Sequence, residues 1–178
     1  MDLQPTLTGK TIRLRPLCAE DRAAFYAVTH DPLIWDQHPA KRYLPEVFAE
    51  FFEQSLKSGG CLLVEDLNTE EVIGSSRFQP LPTHTDIVEI GWTVLARAYW
   101  GGRTNREMKS LMVAHLTAQG KKACLNIAAG NYRSARAAEK IGGRLVGPDY
   151  YPTLIDPREG YRTYILPDVI TKEPPLEG

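Results

Sequence analysis

Two spacings of apolar residues divide the chain into strands and helices. Alternation with a period of two, in runs rich in β-branched and aromatic residues, indicates strands. Spacings of three and four residues indicate one buried face of a helix. These patterns predict strands at 12–15, 61–66, 72–78, 87–95, 123–128, 144–146 and 161–166. They predict helices at 19–30, from Pro45 to just before Gly59, from about Thr104 to near Gly120, and at 132–141, the last with Asn131 as its N-cap. The positions expected to face the core are Phe48, Phe51, Phe52 and Leu56 in the second helix and Met108, Leu111, Met112 and His115 in the third.

The order of these elements predicts the fold class. Hairpins come first, followed by strand, helix, strand, helix and strand, which is typical of a mixed α/β sheet (α+β in some schemes) with helices on its faces. We expect the sheet to be mostly antiparallel. With 178 residues, the chain is most simply one domain over 1–178. The segment 167–178 carries prolines and charges and is predicted to be a loose tail.

One connection is unusually long for a plain loop. The segment 31–44 has two prolines, mixed polarity and no hydrophobic period. Long loops of this kind often line functional sites. Trp35 and His38 are therefore our candidates for contact with a substrate.

The composition narrows the function classes. A formal net charge of −1, without a basic stripe, argues against a nucleic-acid partner. No stretch resembles a signal peptide or reaches membrane-spanning length, so we expect no membrane partner. Cys18, Cys61 and Cys124 are far apart and form no CxxC pair, which predicts no bound metal and favours a reducing cytoplasm.

The segment from Glu89 to Lys109 combines a strand, a glycine turn and a helix start. Gly101 and Gly102 permit tight backbone conformations. Thr104 and Glu107 have the spacing of a capping box, which predicts a helix beginning near Thr104. Free N–H groups at a helix start suit a phosphate. An ordinary strand–turn–helix connection explains this segment equally well, and it matches neither a dinucleotide fingerprint nor a P-loop.

Several motifs together resemble the GNAT superfamily of acyl-coenzyme A transferases. They are EIGW, YWGG and NREMK, followed some two dozen residues later by NYRSARAAEKIGG. TIRLRPLCAED near the start and EVIGSSRF in the third strand resemble, more narrowly, the branch that contains ribosomal-protein N-terminal acetyltransferases. The resemblance covers nearly the whole chain and says much less about the acceptor.

The resemblance implies that acetyl-coenzyme A is the co-substrate. In the family, two neighbouring strands splay apart to admit the thioester, the pantetheine arm pairs with one strand end, and the pyrophosphate lies on the turn and helix start. A backbone N–H near Val94 would stabilise the developing oxyanion. The cofactor-binding residues predicted in this way are Thr93, Val94, Leu95, Trp100, Gly101, Gly102, Arg103, Thr104, Asn105, Arg106 and Asn131.

Two catalytic residues are predicted, and the chain departs from the family pattern near them. Glu89, on the strand leading to the turn, is the candidate general base. Many relatives use a tyrosine to protonate the leaving thiolate, but Ala138 occupies the matching position, and Ser134 is the substitute in the branch resembled here. Solvent-facing or structural roles for Glu89 and Ser134 stay open. Arg103 replaces a common glycine and is predicted to contact phosphate.

The predicted reaction is acetyl transfer to a primary amine by direct attack in a ternary complex. Protein N-terminal α-amines are the acceptors that the resembled branch implies, and small amines are the alternative. A coenzyme A sensor without catalysis is a second hypothesis, suggested by Ala138 and the altered turn. A homodimer is compatible with the family.

Overall fold

A single eight-stranded sheet forms the centre of the computed structural model, which describes residues 1–154 and 158–170. Its spatial order is β1-β2-β3-β4-β5-β6-β8-β7. Among the described strands only β5 and β6 pair in parallel, and the other neighbours are antiparallel, as predicted. The strands are β1 Leu7–Thr8, β2 Ile12–Pro16, β3 Cys61–Asp66, β4 Val72–Leu81, β5 His84–Leu95, β6 Lys122–Ala128, β7 Arg144–Leu145 and β8 Tyr161–Ile165.

In the part of the chain that the structure describes, four α-helices cover the two faces of the sheet. They are α1 Arg22–Thr29, α2 Pro45–Lys57, α3 Thr104–Ala118 and α4 Tyr132–Lys140. The alternation of β3 assigns the faces: Leu62 and Val64 pack in the cluster that contains residues of α3 and α4, and Cys61 and Leu63 pack with α1 and α2. The predicted mixed sheet with helices on both faces is therefore confirmed.

Strands β5 and β6 separate soon after they meet. Their parallel ladder contains only three residue pairs and ends at Glu89 and Cys124. Beyond that point β5 continues to Leu95 along β4, and β6 continues to Ala128 along β8. The sheet therefore has a wedge-shaped opening between two strands whose facing edges are not paired with each other.

A β-bulge shifts the side-chain alternation of β5 beside this opening. Between the pairs Ser75–Val94 and Arg77–Gly91, β5 has one residue more than β4, and Trp92 has a φ of +50°. Before the bulge, even-numbered residues of β5 face α3 and α4, and after it odd-numbered residues do. The uniform alternation expected over 87–95 is wrong here, because an inserted residue changes which face each side chain meets.

Other differences from the sequence predictions are local. A short strand β1 precedes the first predicted one, and β4 and β5 extend around the proline-containing hairpin. The segment 31–44 contains a 3-10 turn at Pro32–Trp35. The tail expected from 167 onward is packed at first, since Ile170 is only 8% exposed and belongs to the core. The rest of that predicted tail, 171–178, lies outside the described residues.

Candidate active site

The turn before α3 leaves its helix start without a side-chain cap. Helix α3 begins at Thr104, as predicted, but its N-cap residue Arg103 makes no capping hydrogen bond. Gly101 has a φ of +71°, and an added Cβ at Gly101 or Gly102 would meet open space. Within the described residues, the backbone N–H groups of 101–105 donate no hydrogen bond. These groups form a concentrated donor surface of the kind that binds anions.

The predicted capping box between Thr104 and Glu107 is wrong, because Glu107 binds a different segment. Its carboxylate accepts hydrogen bonds from the backbone of Lys10 and Thr11 and, at 2.6 Å, from the Thr11 hydroxyl. Burial raises the pKa of Glu107, but these hydrogen bonds prevail and lower it below the ordinary value. Glu107 therefore ties α3 to the β1–β2 turn instead of closing the helix start.

A buried lysine of α3 donates a hydrogen bond to Thr93, which lies at the opening. Lys109 Nζ lies 2.6 Å from Thr93 Oγ1 and 3.1 Å from Ser76 Oγ. Lys109 is 3% exposed, and burial lowers its pKa to about 7. The predicted buried face of α3, at Met108, Leu111, Met112 and His115, did not include this lysine, although Lys109 contacts the bulge of β5.

At Leu95, the last residue of β5, a backbone carbonyl already has a hydrogen-bond partner. The Trp100 indole N–H donates to the Leu95 carbonyl at 2.9 Å. A pantetheine arm that pairs with residues 93–95 would therefore find this carbonyl already bonded. The Trp100 ring in turn lies under a guanidinium, with the Arg133 carbon 4.1 Å from the ring centroid.

Arg133 connects α4 to the long 31–44 loop. Its guanidinium lies 2.9 Å from an Asp36 carboxylate oxygen and donates to the Ile34 carbonyl at 2.7 Å. The backbone N–H of Arg133 also donates to the Gln37 side chain. These contacts bring the loop to the mouth of the opening.

The start of α4 is capped as the sequence predicted. Asn131 is buried, and its side-chain oxygen accepts a hydrogen bond from the Ser134 backbone N–H at 3.1 Å. Ser134 itself is half-buried, in the first turn of a helix beside β6. Its hydroxyl role in proton transfer stays a prediction.

Glu89 occupies the last paired position before the opening. It is 6% exposed, lies opposite Cys124 of β6, and has its carboxylate beside Gly91, where a Cβ would come within 2.9 Å of Oε1. Arg77, on the neighbouring strand, is within electrostatic range of Glu89. The solvent-facing alternative for Glu89 is therefore excluded, and its catalytic role stays a prediction.

The two residues predicted to contact the substrate have different surroundings. Trp35 is buried, and its indole N–H donates to the Thr29 carbonyl at 2.8 Å, so it anchors the loop in the core. His38 is half-buried and accepts a hydrogen bond at Nδ1 from the Ala40 N–H. Burial, with nearby Arg42 and Arg133, lowers the pKa of His38 to about 4. His38 is thus neutral at pH 7 and carries its proton on Nε2.

The predicted phosphate-contacting arginines also differ from one another. Arg103 is exposed at the helix start. Arg106 donates to the Lys140 carbonyl at 2.8 Å and so joins the start of α3 to the end of α4. Its side chain is thereby engaged within the protein, whereas Arg103 lies at the surface of the turn.

A family model confirms what this arrangement suggests. Residues 11–144 match the model described as an acetyltransferase (GNAT) domain. The chain belongs to the GNAT acetyltransferase family. It is accordingly an acyltransferase, and GNAT acetyltransferases use acetyl-coenzyme A. A search of curated proteins finds no match to this chain.

Solved GNAT structures share the fold. A GCN5-related N-acetyltransferase from Brucella melitensis has 18% identity and a TM-score of 0.76, over 93% of this chain and 79% of that one. A GNAT-family acetyltransferase from Bacillus anthracis has 17% identity and a TM-score of 0.72, over 92% and 99%. An acetyltransferase from Agrobacterium tumefaciens has 24% identity and a TM-score of 0.70, over 92% and 94%. Because all three identities are below 25%, the likeness to these structures shows a shared fold.

The described residues of this GNAT protein contain neither a membrane-spanning helix nor a group of metal ligands. No helix within residues 1–154 and 158–170 is long and apolar enough to cross a membrane. In the same ranges, no three His, Cys, Asp or Glu residues are grouped as metal ligands.

Proposed function

We propose that this GNAT protein transfers the acetyl group of acetyl-coenzyme A to a primary amine, most specifically a protein N-terminal α-amine, by direct attack in a ternary complex. The observation that carries the proposal is the opening between β5 and β6, which has a buried carboxylate at its apex and the uncapped start of α3 beside it. The three free thiols favour a reducing compartment such as the cytoplasm.

The coenzyme fits the donor surface at the α3 start. Its pyrophosphate would accept hydrogen bonds from the backbone N–H groups of Gly101 to Arg106, where the helix dipole also favours negative charge. Its pantetheine arm would lie along the unpaired edge of β5 at Thr93 and Val94. Trp100 and Asn131 are the remaining residues of the proposed site. Trp100 donates to the Leu95 carbonyl at the end of β5, and Asn131 caps the start of α4.

Glu89 is proposed as the general base because an amine attacks only when neutral. A lysine-like amine with a pKa of about 10.4 is neutral about 0.04% of the time at pH 7, which corresponds to a deficit of about 4.6 kcal/mol. An α-amine with a pKa of about 8 lacks only about 1.4 kcal/mol. A base is therefore essential for the first acceptor and only helpful for the second. Because an α-amine needs less help from a general base than a lysine-like amine, we favour the α-amine as the acceptor.

The proposed reaction conserves protons within the site. The amine nitrogen bonds to the acetyl carbonyl carbon, the carbon–sulfur bond breaks, and the nitrogen transfers one proton to Glu89, directly or through a water. The departing thiolate takes a proton from the Ser134 hydroxyl, which regains one from water as Glu89 releases the proton of the amine to water. Ala138 is only 1% exposed and has no hydroxyl, so it supplies no alternative acid at the position where many relatives have tyrosine.

Coupled thiol release across peptides, polyamines and amino sugars tests this function. We expect turnover that requires acetyl-coenzyme A, with peptides preferred over small amines. Glu89→Gln should lower kcat by about 100-fold, and Ser134→Ala by about tenfold. Glu46→Gln and Ser110→Ala, which lie outside the opening, are the matched controls and should change kcat less than twofold.

A coenzyme A sensor is the second candidate, because the buried Ala138 leaves the usual acid position without a proton donor. Tight coenzyme binding without turnover on any amine would support the sensor and contradict the enzyme. Faster turnover of polyamines or amino sugars than of peptides would instead assign the protein to small-molecule acetylation.

A further inference from the structure

Two guanidinium groups on the α1–α2 side of the opening, those of Arg42 and Arg77, have no carboxylate oxygen within 4 Å among the described residues, although Glu89 is within electrostatic range of Arg77. Arg77 of β4 is 5% exposed and donates to the Ser55 hydroxyl at 2.6 Å, and its Nε has no hydrogen-bond partner in the described residues. Arg42 of the 31–44 loop stacks on Phe51, with 4.1 Å from the guanidinium carbon to the ring centroid. In the described ranges, Arg42 forms no hydrogen bond and no ion pair.

Burial sets these two groups apart, because the other described arginines that form no ion pair within the described residues, Arg103, Arg136, Arg144 and Arg162, are exposed. Five other arginines each have a carboxylate oxygen within 4 Å: Arg13, Arg15, Arg22, Arg97 and Arg133. Arg77, by contrast, stacks on the Trp92 ring at 4.4 Å. Aromatic faces stabilise a cation without neutralising it, so both guanidinium groups keep donors available for an anion.

The two charges are also close enough to repel each other. Burial and, next, the nearby Arg77 lower the pKa of Arg42 to about 10. Burial likewise lowers the pKa of Arg77. Both groups remain charged at pH 7. Glu89 offsets part of this charge at Arg77, and the free-energy cost of enclosing the rest falls when a further anion joins the two groups.

Arg42 and Arg77 lie beside the part of the opening where we expect the acceptor to bind. Arg77 is the cross-strand partner of Gly91, two residues beyond Glu89. Arg42 is within electrostatic range of Tyr161, which begins β8 opposite the end of β6. The arginines therefore lie beside the opening on the face that α3 and α4 do not cover.

We propose that Arg42 and Arg77 bind a carboxylate of the acceptor, next to the amine that is acetylated. This inference rests on the proposed acetyltransferase function and adds a substrate class to it. The planar guanidinium fork matches a carboxylate in two parallel hydrogen bonds, and the aromatic rings beneath hold both forks in place. The carboxylate belongs either to a free amino acid or to an acidic side chain beside a protein N-terminus.

Paired acceptors test the proposal and distinguish these two sources. The first pair is two peptides that differ only in glutamate or glutamine at the second residue. The second pair is free serine and serine amide, compared after correction for the fraction of neutral amine. We expect kcat/KM to be at least tenfold higher for the acidic member of one pair, and the responding pair identifies the source.

Substitutions test whether the preference for acidic acceptors depends on the two arginines. Arg42→Gln and Arg77→Gln should reduce the acidic-to-neutral ratio of kcat/KM to below threefold. Arg22→Gln removes the same charge from the exposed side of α1 and should leave the ratio unchanged. Because Arg77 is buried, Arg77→Lys and the loop variant Arg42→Gln also report on the proposal if Arg77→Gln does not fold.

The outcomes separate this inference from the proposed function. A ratio near one in the wild-type protein, or one that survives Arg42→Gln, would overturn carboxylate recognition and leave the acetyltransferase proposal intact. Tight coenzyme binding without turnover on any amine would overturn both.

Discussion

Lys109 Nζ donates to Thr93 Oγ1 at 2.6 Å inside the protein, beneath the bulge of β5. The same nitrogen reaches Ser76 Oγ at 3.1 Å, and the two hydroxyls are 2.9 Å apart. Burial alone accounts for the lowered pKa of Lys109, about 7. A lysine that loses its charge near neutral pH thus joins α3 to the strand edge proposed to hold the coenzyme.

Lys109→Met should make protein stability less dependent on pH. Since the folded pKa of about 7 lies below the ordinary value of 10.5, the folded state binds fewer protons than the unfolded state between these values. The wild-type free energy of unfolding should therefore rise relative to Lys109→Met as pH increases from 7 to 10. Urea unfolding at each pH measures this difference.

Lys122→Met is the control for this experiment, because Lys122 is a surface residue paired with Asp168 at 3.4 Å. Its stability difference from wild type should stay constant from pH 7 to 9. An equally flat curve for Lys109→Met would show that Lys109 keeps an ordinary pKa in the folded protein.

Asp21→Asn should destabilise the protein at neutral pH and not at low pH. Asp21 accepts two hydrogen bonds from Arg15, each 2.8 Å, and its pKa is lowered from 3.8 to about 2, first by Arg15. This shift corresponds to about 2 kcal/mol, fully present above pH 4 and lost as pH falls through 2. Chemical unfolding at pH 6 and pH 1.5 measures it. A similar loss for the surface variant Asp168→Asn would indicate a general charge effect.

Gly101→Ala should be destabilising, and Gly102→Ala should not. An added Cβ meets no atom at either position, but only Gly101 has a positive φ, of +71°. An alanine in that conformation costs about 1 kcal/mol. Denaturant midpoints of the two variants give the comparison. Equal midpoints would mean that the turn relaxes to a conformation suited to any residue.

Arg133→Gln should release the 31–44 loop from α4. It removes the charge-assisted contacts to Asp36 and to the Ile34 carbonyl, which are worth about 2 kcal/mol together. Amide hydrogen exchange in 34–38 should become about tenfold faster or more. Arg136→Gln removes an exposed charge from the same helix and should leave exchange unchanged. Unchanged exchange in both variants would contradict the role of Arg133.

The sequence predicted most elements, because their apolar periods match the faces that they bury. The helix pattern at Phe48, Phe51 and Phe52 and the Asn131 cap both depend on neighbours within a few residues, and both form. The capping box failed for the opposite reason. Glu107 has a suitable local partner by spacing, but the backbone of Lys10 and Thr11, almost a hundred residues away, provides stronger donors.

The candidate site was predicted in part. The glycine turn and Glu89 are visible in the sequence because they lie within one continuous segment. Lys109, Arg42 and Arg77 were missed, since a charged residue ordinarily faces solvent and nothing local signals its burial. A lysine at a position where α3 otherwise carries Met108 and Met112 was the available signal for Lys109.

The sequence by itself determined the family, the order of strands and helices, and the turn that starts α3, because each depends on motifs and short-range periods. Only the tertiary structure decided how β5 and β6 diverge at Glu89, on which face of the sheet the Thr93 side chain lies after the bulge, and which arginines form no ion pair within the described residues. These features depend on contacts between segments far apart in the chain, and a single inserted residue reverses the face of every side chain that follows it.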